Sequence, residues 1–113
     1  MGKAETVFDQ PQFKQDGVNK VNNFTGEDLT TDTYYFQPGQ VLEYHRHPQG
    51  DQVFFILKGA GKFYLDNGSE SVLDVQDGSI IYVPKGIWHK LDASTELIAC
   101  QTTRAGAGMQ AKS

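Results

Sequence analysis

The chain has 113 residues, enough for one hydrophobic core but not for two. Ten Lys and Arg residues against 14 Asp and Glu residues give a formal net charge of −4, and the absence of a basic cluster argues against nucleic acid as a partner. The single cysteine, Cys100, excludes an internal disulfide framework. No signal-peptide core or bilayer-length apolar run is present, so we expect one soluble cytoplasmic domain, residues 1–113, with no membrane partner.

The two ends of the chain are more polar than its middle. Residues 1–25 carry isolated Phe and Val side chains among polar ones, and we expect them to form a peripheral strand or an arm against a partner subunit. Residues 104–113, with the sequence RAGAGMQAKS, are small and polar, and we expect a mobile tail there. The strand signals are concentrated between these two ends.

Between the ends, Gly and Pro recur at short intervals and separate segments rich in Val, Ile, Tyr, Phe and Thr. Such segments are typical of β-strands, and no window sustains a helical repeat of apolar residues. Asn67-Gly68 predicts a type I′ hairpin turn, because both residue types accept φ > 0. The pattern indicates an antiparallel sandwich or barrel. The predicted strands are residues 31–37, 40–47, 52–58, 62–66, 70–75, 79–83, 88–91 and 96–103.

Two of the three histidines, His45 and His47, are one residue apart in a predicted strand. Side chains at i and i+2 of a strand share a face, with Cα atoms roughly 6.6 Å apart, so the two imidazoles could bind one metal ion. A third ligand would have to come from another strand. Two solvent-exposed histidines would give the same pattern, so the pair alone is a weak signal.

The spacing around the histidines is more informative than the pair itself. Glycines and one proline recur at set intervals from the histidines in two blocks, and the second block ends on the third histidine of the chain. This two-part pattern, over residues 39–93, resembles the signature of the cupins. The positions concerned are Gly39, His45, His47, Gln52 and Gly59 in the first block and Gly78, Pro84, Gly86 and His89 in the second.

The resemblance implies an antiparallel double-stranded β-helix, the cupin or jelly-roll barrel, with one site for a divalent transition metal. Its ligands would include His45, His47 and His89. The glutamate that usually completes the cupin site is replaced here by Gln52, and Ala93 stands where the family usually has Asn. Imidazole ligands suit Zn, Ni, Fe, Mn or Cu, and the sequence does not choose among these metals.

Asp51 is an alternative to Gln52 as the fourth ligand. Neighbouring strand residues face opposite sides, so only one of the two can reach the metal. The six-residue interval to Gly59 favours Gln52. In that register the inward-facing residues are Gln52, Phe54 and Ile56, and the outward-facing residues are Val53, Phe55 and Leu57.

A neutral glutamine ligand has consequences for the expected chemistry. It would leave a divalent ion its full +2 charge, which favours Lewis-acid chemistry over redox cycling. Replacing Gln52 with Glu is expected to bind metal at least as tightly, since a carboxylate adds charge attraction. The resemblance thus implies a metalloenzyme that acts on a small oxygenated substrate, such as a sugar acid or a diketone, by isomerase- or lyase-type chemistry. An O2-dependent dioxygenase and a non-catalytic small-molecule binding module are the alternatives.

Two further expectations concern an acid or base group and the oligomeric state. Glu43 lies two residues before His45, so an unbroken strand would place it on the same inward face as a candidate catalytic residue. A surface carboxylate at the barrel opening is the alternative.

The apolar outer face formed by Val53, Phe55 and Leu57 predicts a homodimer, because a small barrel has little else to cover it.

Overall fold

A computed structural model describes residues 2–9 and 11–112, which form ten β-strands and no helix. The strands are β1 (Asn19–Thr25), β2 (Leu29–Phe36), β3 (Val41–Arg46), β4 (Gln52–Lys58), β5 (Gly61–Asp66), β6 (Glu70–Val75), β7 (Ile80–Val83), β8 (Trp88–Ala93), β9 (Leu97–Arg104) and β10 (Gln110–Ala111). They build two five-stranded antiparallel sheets, in the orders β1-β2-β9-β4-β7 and β10-β3-β8-β5-β6. Each of the eight predicted strands corresponds to one of β2–β9, and the all-β, double-stranded β-helix class is confirmed. Within this part of the chain, no helix has the length and apolar character of a membrane span.

The hydrophobic core lies between the two sheets and follows the period-2 alternation of the strands. On β4, Gln52, Phe54 and Ile56 are buried, whereas Phe55 and Leu57 are exposed, as the sequence register predicts. The fully buried side chains of the core come from strands of both sheets and include Phe36, Phe54, Phe63, Leu91 and Leu97.

The β5–β6 hairpin forms where Asn67-Gly68 predicts it, but its turn differs from the predicted type. Asp66 pairs with Glu70, so the loop has three residues, and only Gly68 among them has positive φ, at 111°. A type I′ turn would need positive φ at both central residues. The Asp66 carboxylate instead accepts a hydrogen bond from the Gly68 N–H at 2.8 Å, which stabilises the longer loop.

The N-terminal segment covers the outer face of its own sheet. Its last part forms the edge strand β1, paired with β2. Before that strand, Phe13 packs edge-on against Tyr35 with ring centroids 5.6 Å apart, and the Tyr35 hydroxyl donates to the Val7 carbonyl at 3.2 Å. The segment expected to be a peripheral strand or an arm thus contacts β2 of the same chain.

The C-terminal tail, residues 104–113, was expected to be mobile, and part of it is a strand. In β10, Gln110 pairs with Arg46 and Ala111 pairs with His45, so the tail adds an edge to the second sheet. Gly106 and Gly108 have φ of 77° and 73°, a conformation that favours glycine and that turns the chain back toward β3. The small residues of the tail therefore allow it to reach the strand that carries His45.

Candidate metal centre

A β-bulge in β3 positions the first histidine. Strand β3 pairs with β8 through Leu42↔Leu91 and His45↔His89, so β3 carries one more residue than β8 between the two pairs. This extra residue breaks the alternation and lets Leu42 and His45, three residues apart, both face inward. It also places His45 directly opposite His89.

The same bulge corrects the expected inward orientation of Glu43, not its candidate role as an acid or base. That expectation required an unbroken strand, and the register shift falls between Leu42 and His45. Leu42, rather than Glu43, packs against the core, and the Glu43 side chain is exposed. Glu43 still lines a cavity that His45 and His47 also line.

The fold brings all three histidines together. One ring nitrogen from each of His45, His47 and His89 lies within 4.8 Å of the corresponding atoms of the other two. The His45 and His89 ring centroids are 4.1 Å apart, and His47 lies 5.4 Å from the first and 5.7 Å from the second. All three side chains are buried. The arrangement fits ligands that surround one ion.

Main-chain carbonyls set the tautomer of each ring. The Nδ1 atom of His45 lies 2.8 Å from the Glu43 carbonyl oxygen, that of His47 lies 2.7 Å from Gly108, and that of His89 lies 3.0 Å from Ile87. A carbonyl oxygen only accepts, so each Nδ1 carries the proton and donates it. Each Nε2 atom therefore keeps its lone pair, which is the state that binds a metal.

Burial keeps the three rings neutral. Desolvation lowers the pKa of His45 and His47 below the usual value of 6.5. It lowers the pKa of His89 to about 3, helped by the neighbouring His45. Because a metal must displace any proton on its ligand, low histidine pKa values reduce competition from protons. At neutral pH the three rings are thus uncharged, and no proton occupies their Nε2 atoms.

The side chains of Gln52 and Asp51 point to different surroundings. The Gln52 amide is buried, and its Nε2 atom lies 3.0 Å from the His47 Nε2. The Asp51 carboxylate is exposed and accepts hydrogen bonds from the Tyr82 hydroxyl at 2.7 Å and the Lys85 N–H at 2.8 Å. Of the two candidates for the fourth ligand, Gln52 is therefore the one beside the histidines.

Unpartnered polar atoms mark the same place. Among the residues that the structure describes, the buried side-chain atoms without a hydrogen-bond partner are Gln52 Oε1 and His89 Nε2. Both belong to the predicted ligand set, and a buried polar atom without a partner costs free energy. Three imidazole nitrogens and an amide oxygen are donors that first-row divalent metals accept, so the residues fit such an ion.

Two cavities meet at His47. One, of about 280 Å³, is largely apolar and is also lined by Tyr34, Leu42 and Glu43. The other, of about 360 Å³, is more polar and is lined by Asp32, Gln101 and Arg104 among others. Lys20, His47 and Met109 line both. Small molecules thus have two approaches to the histidine cluster.

Sequence reasoning missed the contributions of Asp32, Gln101 and Gly108. Asp32 and Gln101 are buried polar residues that lie opposite each other on β2 and β9. Gly108 holds His47 from a tail that carried no strand signal. A polar residue at an inward position of an apolar strand was the available signal for Asp32 and Gln101, but only the pairing of β2 with β9 joins the two.

Comparisons with known proteins agree with this fold. Two bacterial structures resemble nearly the whole chain. An RmlC-like cupin protein from Desulfovibrio desulfuricans has 21% identity and a TM-score of 0.85, and the match covers 93% of this chain and 98% of that one. An uncharacterised protein with a double-stranded β-helix domain from Klebsiella pneumoniae has 19% identity and a TM-score of 0.86, and the match covers both chains completely. An oxalate oxidase in complex with the substrate analogue glycolate shares 16% identity over 96% of this chain and 59% of its own, with a TM-score of 0.71. No curated protein matches the chain. The model of the cupin domain matches residues 33–101, so the chain belongs to the cupin family.

Proposed function

We propose that this cupin binds one divalent transition metal and acts as a metalloenzyme on a small oxygenated substrate, by isomerase- or lyase-type chemistry. The observation that supports this most directly is the shared tautomer of the histidines. Each Nδ1 donates to a main-chain carbonyl, and the three lone pairs left on Nε2 belong to rings that meet in one buried cluster. A structural role alone would not require the three rings to share one tautomer.

His45, His47 and His89 would hold the ion, with the Gln52 amide oxygen as the fourth donor. Zn, Ni, Fe, Mn and Cu all suit this donor set. When bound, the ion supplies Lewis acidity, which polarises a carbonyl or hydroxyl group and acidifies bound water. Because all four donors are neutral, none of the ion's +2 charge is cancelled by its ligands.

The chain's own residues would bind the substrate and move a proton. Lys20 lines both cavities beside His47, and its ammonium suits the carboxylate of a sugar acid. Glu43 is the carboxylate among the residues that line the apolar cavity, and we propose it as the acid or base group. Val18, Tyr34 and Leu42 on the wall of the same cavity would exclude water from one side of the substrate.

An O2-dependent dioxygenase is the second candidate, favoured by the fold likeness to an oxalate oxidase. The two candidates make different demands on the metal. A dioxygenase would consume O2 when loaded with Fe(II), whereas an isomerase or lyase would work with redox-inactive Zn(II). A non-catalytic binding module would bind small acids without converting them under either condition.

Metal analysis of protein purified without a histidine tag tests the proposal. We expect about one divalent ion per chain in the wild type and loss of most of it in His47→Ala, because two imidazoles and an amide make a poor site. Asp51→Asn is the matched control, since its carboxylate is bound to Tyr82 and Lys85, and it should keep the metal. Full stoichiometry in His47→Ala would place the site elsewhere.

We also propose that the protein is a homodimer through the outer face of β4 and β7. Phe55 lies opposite Ile80, and Val53 lies opposite Tyr82. Phe55, Ile80 and Tyr82 are all exposed in the single chain, so an apolar patch continues to the edge of this sheet. Sedimentation at micromolar concentration should show a dimer, and Ile80→Lys should shift it to monomer. A wild-type monomer at that concentration contradicts the proposal.

A further inference from the structure

A row of buried polar side chains leads away from the metal centre. The Gln52 Nε2 atom donates to Gln101 Oε1, and the Gln101 Nε2 atom donates to Asp32 Oδ2 at 3.0 Å. The other Asp32 oxygen accepts from Asn22 Nδ2 at 2.9 Å. We call Asp32, Gln101 and Gln52 the amide relay. Their side chains are 4%, 1% and 1% exposed, so their hydrogen bonds are made mainly to one another.

The Asp32 carboxylate, at one end of the amide relay, determines which way the amide groups of Gln101 and Gln52 are oriented. An ionised carboxylate only accepts hydrogen bonds, so Asp32 requires the nitrogen end of the Gln101 amide. The oxygen end of that amide then faces position 52, which must provide a donor. Glutamine has one and an ionised glutamate has none.

His47 also requires a hydrogen-bond donor at position 52. In the metal-free protein, His47 gives its Nδ1 proton to the Gly108 carbonyl, so its Nε2 lone pair accepts from the Gln52 amide nitrogen; a bound metal would take that lone pair instead. Both hydrogens of that nitrogen are thereby engaged, one by Gln101 and one by His47. Turning the amide over would place its oxygen against two acceptors. The free atom of the amide is Oε1, which is buried and has no partner.

We propose that Asp32 and Gln101 are positioning residues that select glutamine instead of glutamate at position 52 and leave its amide oxygen free for the metal. The part of this inference that concerns metal rests on the proposed function, whereas the selection of a donor at position 52 applies equally to the metal-free protein. It also reverses the expectation that Gln52→Glu binds metal at least as tightly, because a glutamate there would face the Gln101 oxygen.

Reversing the direction of the amide relay should make glutamate acceptable. In Asp32→Asn, the new amide can keep its oxygen toward Asn22 and turn its nitrogen toward Gln101. The Gln101 amide can then turn over and offer its own nitrogen to position 52. The double variant Asp32→Asn/Gln52→Glu therefore has a donor from Gln101 at position 52, and its net charge equals that of the wild type. His47 Nε2 still loses its donor, and Lys20, whose Nζ lies 4.0 Å from Asp32 Oδ2, loses its anionic partner.

Thermal unfolding of the chelator-treated protein at neutral pH tests this coupling without any metal. Gln52→Glu should lower the Tm by about 5 °C or more, because it buries an acceptor against an acceptor. Asp32→Asn/Gln52→Glu should recover about half of that loss, because it removes the conflict with Gln101 and not the one with His47. Positions 32 and 52 are joined through Gln101, so recovery would report the relay rather than a direct contact.

Asp51→Asn/Gln52→Glu is the matched control. It removes one negative charge next to position 52 but outside the amide relay, since the Asp51 carboxylate is bound to Tyr82 and Lys85. We expect no recovery of Tm in this variant. Equal recovery of Tm in both double variants would mean that simple charge repulsion causes the loss in Gln52→Glu. Additive effects of Asp32→Asn and Gln52→Glu on Tm would mean that positions 32 and 52 are not coupled. Either result overturns the proposal.

Zinc titration tests the consequence for the metal. Gln101→Met keeps most of the side-chain volume and removes the hydrogen bonds, and we expect the zinc affinity to fall about 10-fold or more. In a Gln52→Leu background the same change should have little effect, because Gln101 would act through Gln52. An equal loss in both backgrounds contradicts a positioning role. A wild-type protein that binds no zinc would overturn the metal part while leaving the thermal-unfolding result to decide the rest.

Discussion

The two ends of the barrel have different linings, although the same strands build both. Along β4, the inward residues change from Gln52 to Phe54 and Ile56, and along β8 they change from His89 to Leu91 and Ala93. The same polar-to-apolar change runs along β2, from Asp32 to Tyr34 and Phe36, and along β9, from Gln101 to Ala99 and Leu97.

The register aligns the change on β2 with that on β9, whereas on β4 it is offset by two residues, because Phe54 lies opposite Gln101. Asp32 lies opposite Gln101, and Phe36 lies opposite Leu97. The apolar end therefore supplies most of the hydrophobic stabilisation, and it leaves the polar end free to keep unpartnered atoms such as His89 Nε2. Stability and binding are thus expected to respond to mutations at different ends.

Leu97→Ala, at the apolar end, should have the largest effect on folding. Leu97 is fully buried, and such a truncation costs about 2–5 kcal/mol through lost burial and the cavity left behind. Urea unfolding should show this loss, while folded Leu97→Ala keeps the metal stoichiometry of the wild type. His47→Ala should behave in the opposite way, with a smaller loss of stability than Leu97→Ala and most of the metal gone. If folded Leu97→Ala lost its metal, the two ends would not be separable.

The polar end should make the metal-free protein sensitive to acid. The pKa values of the three histidines lie below 6.5 in the folded chain, with that of His89 at about 3, whereas they return to about 6.5 on unfolding. Between pH 6.5 and pH 3 the unfolded chain binds protons that the folded chain does not, so the free energy of unfolding falls as the pH falls. Above pH 6.5 these groups contribute no pH dependence.

Urea midpoints measured at pH 7, 6 and 5 check this sign. The midpoint should decrease at each step, and His89→Gln should show a shallower decrease because it removes the histidine with the lowest pKa. Leu97→Ala serves as the control: its midpoints should be lower throughout, with the slope of the wild type. Equal slopes in the wild type and His89→Gln would mean that other groups cause the acid sensitivity.

The sequence predicted the elements that depend on local pattern. Alternation along β4 gave the correct burial of Gln52, Phe54 and Ile56, and the glycine and proline spacing indicated the cupin barrel. Alternation failed at Glu43, because the bulge that exposes it is visible only in the pairing of β3 with β8. Gln101 and Asp32 are 69 residues apart in the chain, so no local pattern could join them.

The C-terminal tail is a second feature that local sequence pattern did not predict, and it provides a test of the polar end. Its composition predicted mobility, yet the Gly108 carbonyl accepts the Nδ1 proton of His47, 61 residues away in the chain. That hydrogen bond leaves Nε2 of His47 available for the metal. A residue of the tail thus fixes the state of a predicted ligand.

Two truncations separate this hydrogen bond from the pairing of β10. A chain ending at Ala107 loses the Gly108 carbonyl, β10 and the contacts of Lys112 with Tyr44 and Asp66, whereas a chain ending at Met109 loses β10 and the Lys112 contacts but keeps the carbonyl. Zinc affinity should fall roughly 10- to 100-fold in the first and much less in the second, since outer hydrogen-bond partners of metal ligands have effects of this size. Nitrogen-15 NMR of the metal-free protein should show His47 protonated at Nδ1 in the full chain and in the longer truncation, and a mixture of tautomers in the shorter one. If both truncations bound zinc equally well, Gly108 would not position His47, and pairing of the tail with β3 would be its whole role.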